Sequence, residues 1–234
     1  MEKYQRTDQS SYCLGMSLSI EALLHKTEYV RKIYLSDKVF KNDQFSLLVD
    51  LCEKNNIPYI YDSRIIDRLS LKENCYGIAV FDKFYHNCES NNHLVLYGFR
   101  QFGELGTILR SAVSFDLKDI IIIDSDIDYF DPSCIRASMG SIFQCNVERY
   151  NSFADYFQKY PKQNIYPFTS DGKKELAEMV IKEPFSLIIA EDYYGLDDRF
   201  EDSYYLQHDT LKEISLSIRS SIILAEVYDR KRRR

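Results

Sequence analysis

The sequence predicts an α/β protein built on a mainly parallel sheet. Short apolar runs that suit buried strands alternate along the chain with segments of helical apolar spacing. Residues 119–123 and 185–190 are apolar almost throughout, as expected for strands that are buried on both faces. Gly103, Gly106 and Gly195 follow strand-like runs, at places where a ligand can approach the backbone closely. The pattern favours an open α/β sheet with a small-molecule site at its strand ends.

A polar, turn-forming stretch at 87–93 divides the chain into two predicted domains, 1–86 and 94–234. In the first domain, apolar spacing alternates between the helical and the strand period. The predicted elements there are helices at 15–25, 45–53 and 65–71 and strands at 33–35, 58–61 and 77–81.

The alternation restarts after the linker. Pro132 suits the first turn of a helix, and Asn151 and Ser152 are typical helix-capping residues. The predicted elements are strands at 94–97, 119–123, 164–168 and 185–190, helices at 105–115, 132–140, 172–181 and 210–228, and a helix that begins after Ser152. Such β-α alternation predicts a parallel sheet covered by helices.

Charge limits the class of partner. The 234 residues carry 30 basic and 36 acidic side chains, a net charge of −6, which argues against a protein that coats nucleic acid non-specifically. A local RNA contact remains compatible with this balance. The basic run 230–234 has two interpretations, a solvated end of the chain or a small RNA-binding patch.

Cysteine usage and hydropathy indicate the compartment. The six cysteines are widely scattered, no two form a Cys-x-x-Cys pair, and no histidine lies at metal-ligand spacing from them. We expect reduced thiols and no metal site. Because there is no signal peptide and no long apolar run, we expect a cytoplasmic protein that does not span a membrane.

Residues 94–234 resemble the SpoU group of SPOUT methyltransferases, whose α/β domain contains a deep trefoil knot. The group's first motif reads Asp-Pro-x-Asn-x-Gly-x-x-x-Arg. In 101–110, Gly106 and Arg110 match it, and Glu104 replaces the asparagine. The next motif, Arg-x-Ser-x-Gly-Ala-x-Phe, is nearly complete in 136–143, where Ser141 replaces the alanine.

Two later motifs match in part. In 190–196, Asp192 falls on the group's glutamate and Ala190 on its first glycine. In 213–217, Glu213 and Ser215 fall on a serine and an asparagine of the group's last motif. Residues 1–86 resemble an L30e-like domain that helps such enzymes grip RNA; Cys75-Tyr76-Gly77 stands where that domain usually has His-Gln-Gly.

The resemblance implies transfer of a methyl group from S-adenosylmethionine to a ribose 2′-hydroxyl of ribosomal or transfer RNA, by a homodimer formed through the knotted domain. Arg110, always charged at neutral pH, would orient the RNA and polarise the hydroxyl. The implied catalytic positions are Arg110, Glu104, Asp192, Ser215 and Ser217, the cofactor-binding positions are Gly140, Ala190, Gly195, Leu196, Leu206 and Leu216, and the RNA-binding positions are Arg110 and Arg136.

The departures from the group's motifs leave alternative functions open. Glu104 could stabilise a helix start, act as a base, or mark a loss of activity. Together with Glu213 and Ser215 it is compatible with a second interpretation, a degenerate relative that binds RNA or ribosomes without methyl transfer. A third interpretation, other nucleotide chemistry, is weak because the phosphate-binding glycine pattern and the Walker lysine are absent.

Overall fold

The structure is a computed structural model that describes residues 3–70, 74–89, 91–169, 173–190, 200, 203–205 and 214–233. The chain forms two compact units. The first comprises Met1–Phe84 and Asp128–Gln144, and the second comprises Tyr85–Ile127 and Cys145–Arg234. The units differ from the predicted domains chiefly in Asp128–Gln144, which lies inside the predicted second domain but groups with the first unit.

The first unit has a four-stranded sheet with helices α1 to α3 and α5. Its strands have the order β1-β4-β2-β3, in which β4 runs antiparallel to β1 and β2, and β3 runs parallel to β2. The elements are β1 (Ser10–Leu14), α1 (Met16–His25), β2 (Val30–Leu35), α2 (Phe45–Asn55), β3 (Tyr59–Tyr61), α3 (Ser63–Leu69), β4 (Gly77–Asp82) and α5 (Pro132–Ala137).

Aromatic contacts and one buried hydrogen bond explain why Asp128–Gln144 joins this unit. The Phe81 ring on β4 packs against Phe130 and Phe143, with centroid distances of 6.0 and 5.1 Å. The hydroxyl of Ser11, fully buried on β1, donates to the Phe130 carbonyl (2.6 Å). Burial of these rings and satisfaction of the hydroxyl fix the segment against the sheet.

The second unit has a seven-stranded sheet in which every strand pairing is parallel. Its order is β7-β6-β5-β10-β8-β11-β9. The elements are β5 (His93–Tyr97), α4 (Phe102–Ser114), β6 (Asp119–Ile123), β7 (Asn146–Tyr150), α6 (Phe153–Lys159), β8 (Asn164–Phe168), β9 (Lys174–Glu175), β10 (Phe185–Ala190), β11 (Tyr204–Tyr205) and α7 (Leu216–Arg232).

The core of the second unit lies on both faces of its central strands. Along β5 and β6 every residue except Tyr97 is buried, as the apolar runs predict. Val95, Ile121 and Ile188 pack with the α6 rings of Phe153 and Tyr156 in one cluster. α4 and α7 pack together, with the hydroxyls of Ser111 and Ser221 2.7 Å apart.

A buried carboxylate ties β7 to the segment before β5. Glu148 is 9% exposed and accepts hydrogen bonds from Lys159 Nζ (2.7 Å), the Cys88 N–H (2.8 Å) and the hydroxyls of Tyr150 and Tyr160. Burial alone would raise the pKa of Glu148, but the hydrogen bonds and the Lys159 charge hold it below its usual value. The charge is thus compensated inside the unit.

Most predicted elements are confirmed, and one is wrong. The strands predicted at 94–97, 119–123, 164–168 and 185–190 are present. In place of the helix predicted over 172–181, the described residues form the short strand β9 and a 3-10 turn at Leu176–Glu178. Met179 and Ile181 are buried and Val180 is 61% exposed, the period of two that extended backbone gives.

Candidate functional site

The strand order of the second unit reverses beside β5. From β5 the chain moves outward through α4 to β6 and β7, whereas β10 and β8 lie on the other side of β5. Ligands of open α/β sheets bind outside the carboxyl ends of the strands at such a reversal. Tyr97 and Ala190 end β5 and β10 and are partners in register. The space outside these two residues is the candidate site.

Gly98 follows β5 directly and was missed by the sequence-based site prediction. Its φ of 73° lies in the left-handed region that favours glycine, and its N–H donates to the Ile123 carbonyl (3.1 Å). A Cβ built on Gly98 would have no heavy atom of the other described residues within 4 Å. The space beside the Gly98 Cα is therefore not filled by another described residue. The position of Gly98 directly after an apolar strand was the sequence signal that could have identified this residue.

The ends of β5 and β6 also bring together two polar groups that the motifs do not contain. The Tyr97 ring packs on Phe153 at a centroid distance of 5.1 Å, and the Tyr97 hydroxyl interacts electrostatically with Asp124, which directly follows β6. Burial, followed by the charge and hydrogen bond of Asp124, raises the pKa of Tyr97. Tyr97 is therefore protonated at neutral pH and acts as a donor.

α4 begins shortly after Gly98. Gln101 precedes it with extended backbone, and its side chain makes no capping hydrogen bond. Glu104 is half-buried in the first turn, where the helix dipole favours a negative charge by about 0.3–1 kcal/mol. Glu104 thus has a structural reason to be acidic.

Arg110 lies in the third turn of α4 and is exposed. Six residues separate it from Glu104, which places the two about 9 Å apart along the helix axis and on different faces. Within the described ranges, the Arg110 guanidinium forms no ion pair with a carboxylate. It is therefore available to an anionic ligand.

The two predicted serines lie at the start of α7. Ser215 is its N-cap, and its hydroxyl accepts from the Ile218 N–H (3.5 Å) and lies 3.0 Å from the Ser217 hydroxyl. Leu216 is 7% exposed and Ser217 is 9% exposed. Helix capping accounts for Ser215 without any catalytic role.

Gly140 and Arg136 belong to the first unit. Gly140 has a φ of 82°, and a Cβ built on it would lie 2.8 Å from the Cβ of Glu21 on α1. This close approach alone requires a glycine, so Gly140 is by itself no indication of a ligand. Arg136 is exposed in the last turn of α5.

Four predicted positions, Asp192, Gly195, Leu196 and Leu206, lie outside the described residues, as does Glu213. Ala190 ends β10 and is half-buried, at the edge of the candidate site.

Three further features concern metal binding, the cysteines and the membrane. Among the described residues, no group of three or more His, Cys, Asp or Glu side chains is arranged to hold a metal ion. All six cysteines are free and buried. No helix in the described part of the chain is long and apolar enough to cross a membrane.

Comparisons with solved structures show the same fold. An AdoMet-bound rRNA methyltransferase from Sinorhizobium meliloti superposes with a TM-score of 0.76 at 19% identity, covering 95% of this chain and 88% of its own. The SpoU methyltransferase AviRb from Streptomyces viridochromogenes, in complex with AdoMet, gives 0.77 at 16% identity and covers 95% and 91%.

Sequence comparison gives the family. A curated relative from Streptomyces azureus, a 23S rRNA (adenosine(1067)-2'-O)-methyltransferase, is 28% identical over 79% of this chain and 72% of its own length. The model of the SpoU rRNA Methylase family matches residues 91–207, half of the chain, and this range includes the reversal at β5 and β10. The chain belongs to the SpoU rRNA methylase family.

Proposed function

We propose that this protein transfers a methyl group from S-adenosylmethionine to a ribose 2′-hydroxyl of ribosomal RNA. The observation that carries the proposal is the family match, because 91–207 spans the candidate site and the Gly106–Arg110 half of the first motif. The curated relative is a 23S rRNA 2′-O-methyltransferase, which favours ribosomal over transfer RNA. Two of the similar structures contain AdoMet, which supports that cofactor.

The described residues fit such a cofactor. A Cβ-free, left-handed backbone at Gly98 leaves space that no other described residue fills, beside the carboxyl ends of β5 and β10, where ligands of open sheets bind. Ala190 and Leu216 would line the pocket from this part of the chain, and Gly195, Leu196 and Leu206 are the proposed remaining contacts. The cofactor supplies an electrophilic methyl group on its sulfonium.

Arg110 would bind and orient the RNA. An exposed guanidinium with no carboxylate partner can hold a phosphate or ribose oxygen in a bidentate contact. Such positioning is worth about 7–11 kcal/mol in well-aligned reactions. A guanidinium has five N–H donors and no acceptor, so Arg110 would stabilise developing negative charge and would not remove the hydroxyl proton.

Three structural expectations accompany the proposal. The first unit, together with Arg136, would contact RNA. A homodimer is supported by Ile218 and Ile222 on α7, which lie one turn apart and are 51% and 39% exposed, because an apolar helix face of this kind suits a second copy of the chain. An RNA substrate and six free thiols suit the cytoplasm.

Methyl transfer from radiolabelled S-adenosylmethionine to ribosomal RNA tests the function. We expect incorporation with the native protein and a loss of at least 100-fold in Arg110→Ala, with cofactor affinity unchanged in a calorimetric titration. Binding of RNA without cofactor binding or methyl transfer would instead support the degenerate relative. Mapping of methylated riboses in RNA from cells with and without the protein would identify the nucleotide.

A further inference from the structure

The first unit carries a cluster of four aromatic rings, two of which, Phe40 and Tyr61, are exposed. The cluster is here called the aromatic ladder: Tyr59, Tyr61, Phe40 and Phe45. Phe40 and Tyr61 are stacked, with centroids 5.9 Å apart and planes 21° apart. Phe45 meets Phe40 edge-on at 5.0 Å, and Tyr59 meets Tyr61 edge-on at 6.3 Å. The ladder lies where edge strand β3 adjoins the turn after β2.

Local structure explains why Phe40 points outward. Val39, next to it in the 3-10 turn Val39–Lys41, is fully buried and anchors the turn. Before the turn, the Asp37 N–H donates to the Ser63 hydroxyl (2.9 Å), which in turn donates to the Asp37 carboxylate (2.7 Å). The backbone that carries Phe40 is thus tied to the start of α3.

The exposure is large for such a cluster. Phe40 is 68% exposed and Tyr61 is 43% exposed. Single exposed apolar residues are ordinary, but contiguous exposed rings mark interaction sites because their hydration is unfavourable. One face of Phe40 is supported by Tyr61. Much of the ring remains accessible to solvent, because Phe40 is 68% exposed despite its contacts with Tyr61 and Phe45.

The geometry fits a nucleic-acid base. An aromatic ring with one free face is the platform on which unpaired RNA bases stack, and stacking tolerates any base. A separation of 5.9 Å is too small for a base to enter between Phe40 and Tyr61, so the base would lie on the outer face of Phe40. Because Tyr61 already holds the Phe40 ring in place, less conformational entropy is lost when a base binds.

The surrounding charge is also compatible with RNA. Residues 1–84 carry twelve basic and twelve acidic side chains, so the net negative charge of the protein comes from the rest of the chain. Lys38 is exposed two residues before Phe40, and the Arg64 side chain is 97% exposed at the start of α3. Asp62 Oδ1 accepts from the N–H groups of Arg64 and Ile65 and lies 3.8 Å from Arg64 Nε. A phosphate bound by Arg64 would replace this exposed ion pair, which is worth little in water.

From this arrangement we infer that the aromatic ladder is a stacking platform for an unpaired base of the RNA, with Lys38 and Arg64 beside it for phosphates. The inference deepens the proposed function and rests on it for the identity of the partner. It predicts recognition of single-stranded or looped RNA by the first unit, at a site separate from the reaction itself.

Binding of short RNAs tests it. The probes are a twelve-nucleotide oligoadenylate with a central 2-aminopurine, an oligouridylate of the same design, and a fully paired duplex. We expect quenching of 2-aminopurine by the full-length protein in single strands. Phe40→Ala should weaken single-strand binding about 5- to 100-fold and leave duplex binding unchanged. Phe40→Trp should restore it. Leu24→Ala, which removes another exposed apolar side chain of this unit (53%), is the matched control.

The outcomes separate this inference from the proposed function. Loss of quenching in Phe40→Ala supports the platform even if no RNA is methylated. With ribosomal RNA as substrate, Phe40→Ala should raise KM and leave kcat unchanged. Three results would each overturn the stacking platform. They are equal RNA affinities of Phe40→Ala and Leu24→Ala, no quenching of either single strand by the native protein, and a change in the oligomeric state of Phe40→Ala on light scattering. The last result would assign the rings to an interface between two copies.

Discussion

Replacing Gly140 by alanine should destabilise the first unit by about 2–5 kcal/mol. Left-handed backbone costs a residue with a Cβ roughly 1–2 kcal/mol, and the φ of 82° places Gly140 there. The new Cβ would lie 2.8 Å from the Glu21 Cβ, and relief of such overpacking costs about 1–3 kcal/mol more. This is a large share of a domain's stability of about 5–15 kcal/mol.

Two other glycines serve as matched controls for the two contributions. Gly98→Ala adds the left-handed strain, but its Cβ meets no atom within 4 Å in the part of the chain that the structure describes, so we expect a cost of about 1–2 kcal/mol. Gly103→Ala in the first turn of α4 adds neither strain nor contact and should stabilise by about 0.4–1 kcal/mol.

Urea unfolding followed by circular dichroism measures the series, and hydrogen exchange assigns each effect to a unit. Gly140→Ala should raise exchange in peptides from α1 and α5, and Gly98→Ala should raise it near β5. If Gly140→Ala unfolds within about 0.5 kcal/mol of the native protein yet loses affinity for S-adenosylmethionine, then the packing argument is wrong and Gly140 serves the cofactor.

Three further predictions concern single side chains. Ser215→Ala removes the cap of α7 and should cost about 0.5–2 kcal/mol with methyl transfer retained; inactivity at unchanged stability would assign Ser215 to catalysis. Glu104→Gln removes a negative charge from α4, the helix that carries the proposed RNA-binding residue Arg110, and should lower KM for RNA about threefold to fivefold without changing kcat; a loss of kcat would identify Glu104 as a base. His93 should make stability fall below about pH 6.5, by up to about 1.4 kcal/mol per pH unit, in urea melts between pH 7.5 and 5.5.

The sign of the His93 effect follows from its burial. Nε2 donates to the Glu89 carbonyl (2.6 Å), because a carbonyl can only accept, and Nδ1 accepts from the Tyr156 hydroxyl (2.7 Å). Burial lowers the pKa of His93, against the hydrogen bond to Glu89. The unfolded chain therefore binds a proton more readily than the native one, and acid favours unfolding. His93→Gln should lose this pH dependence; an equal slope in both proteins would exclude His93 as its source.

Strands with continuous apolar runs were predictable because burial on both faces leaves a signature in composition alone. β6 and β10 are of this kind. β1 and β7 were missed because their stability depends on partners that the local sequence does not contain. Ser11 on β1 is buried by donating to Phe130, and Glu148 on β7 is buried by Lys159 and Tyr160. Polar residues in a strand resemble a loop until such partners are known.

The candidate site was predictable in its chemistry and less so in its geometry. The motif residues Gly106 and Arg110 placed α4 beside a strand end correctly. Gly140 matched a motif but has a packing contact with Glu21, a residue about 120 positions earlier, which no local pattern records. Tyr97 and Asp124 were missed because neither belongs to a motif, and only the pairing of β5 with β6 brings them together.

Adjacency of β5 and β10 has a consequence for synthesis of the protein. Ser186 on β10 pairs with His93 on β5. More than ninety residues must therefore leave the ribosome after β5 before β10 can pair with it. Parallel pairing between distant segments is slow, because the entropy of closing the long loop is lost before the stabilising strand contacts form. A nascent chain that ends before β10 exposes one side of β5 as an unpaired, apolar edge. Truncated chains should therefore aggregate, and the two strands that flank the candidate site can pair only after β10 has been synthesised.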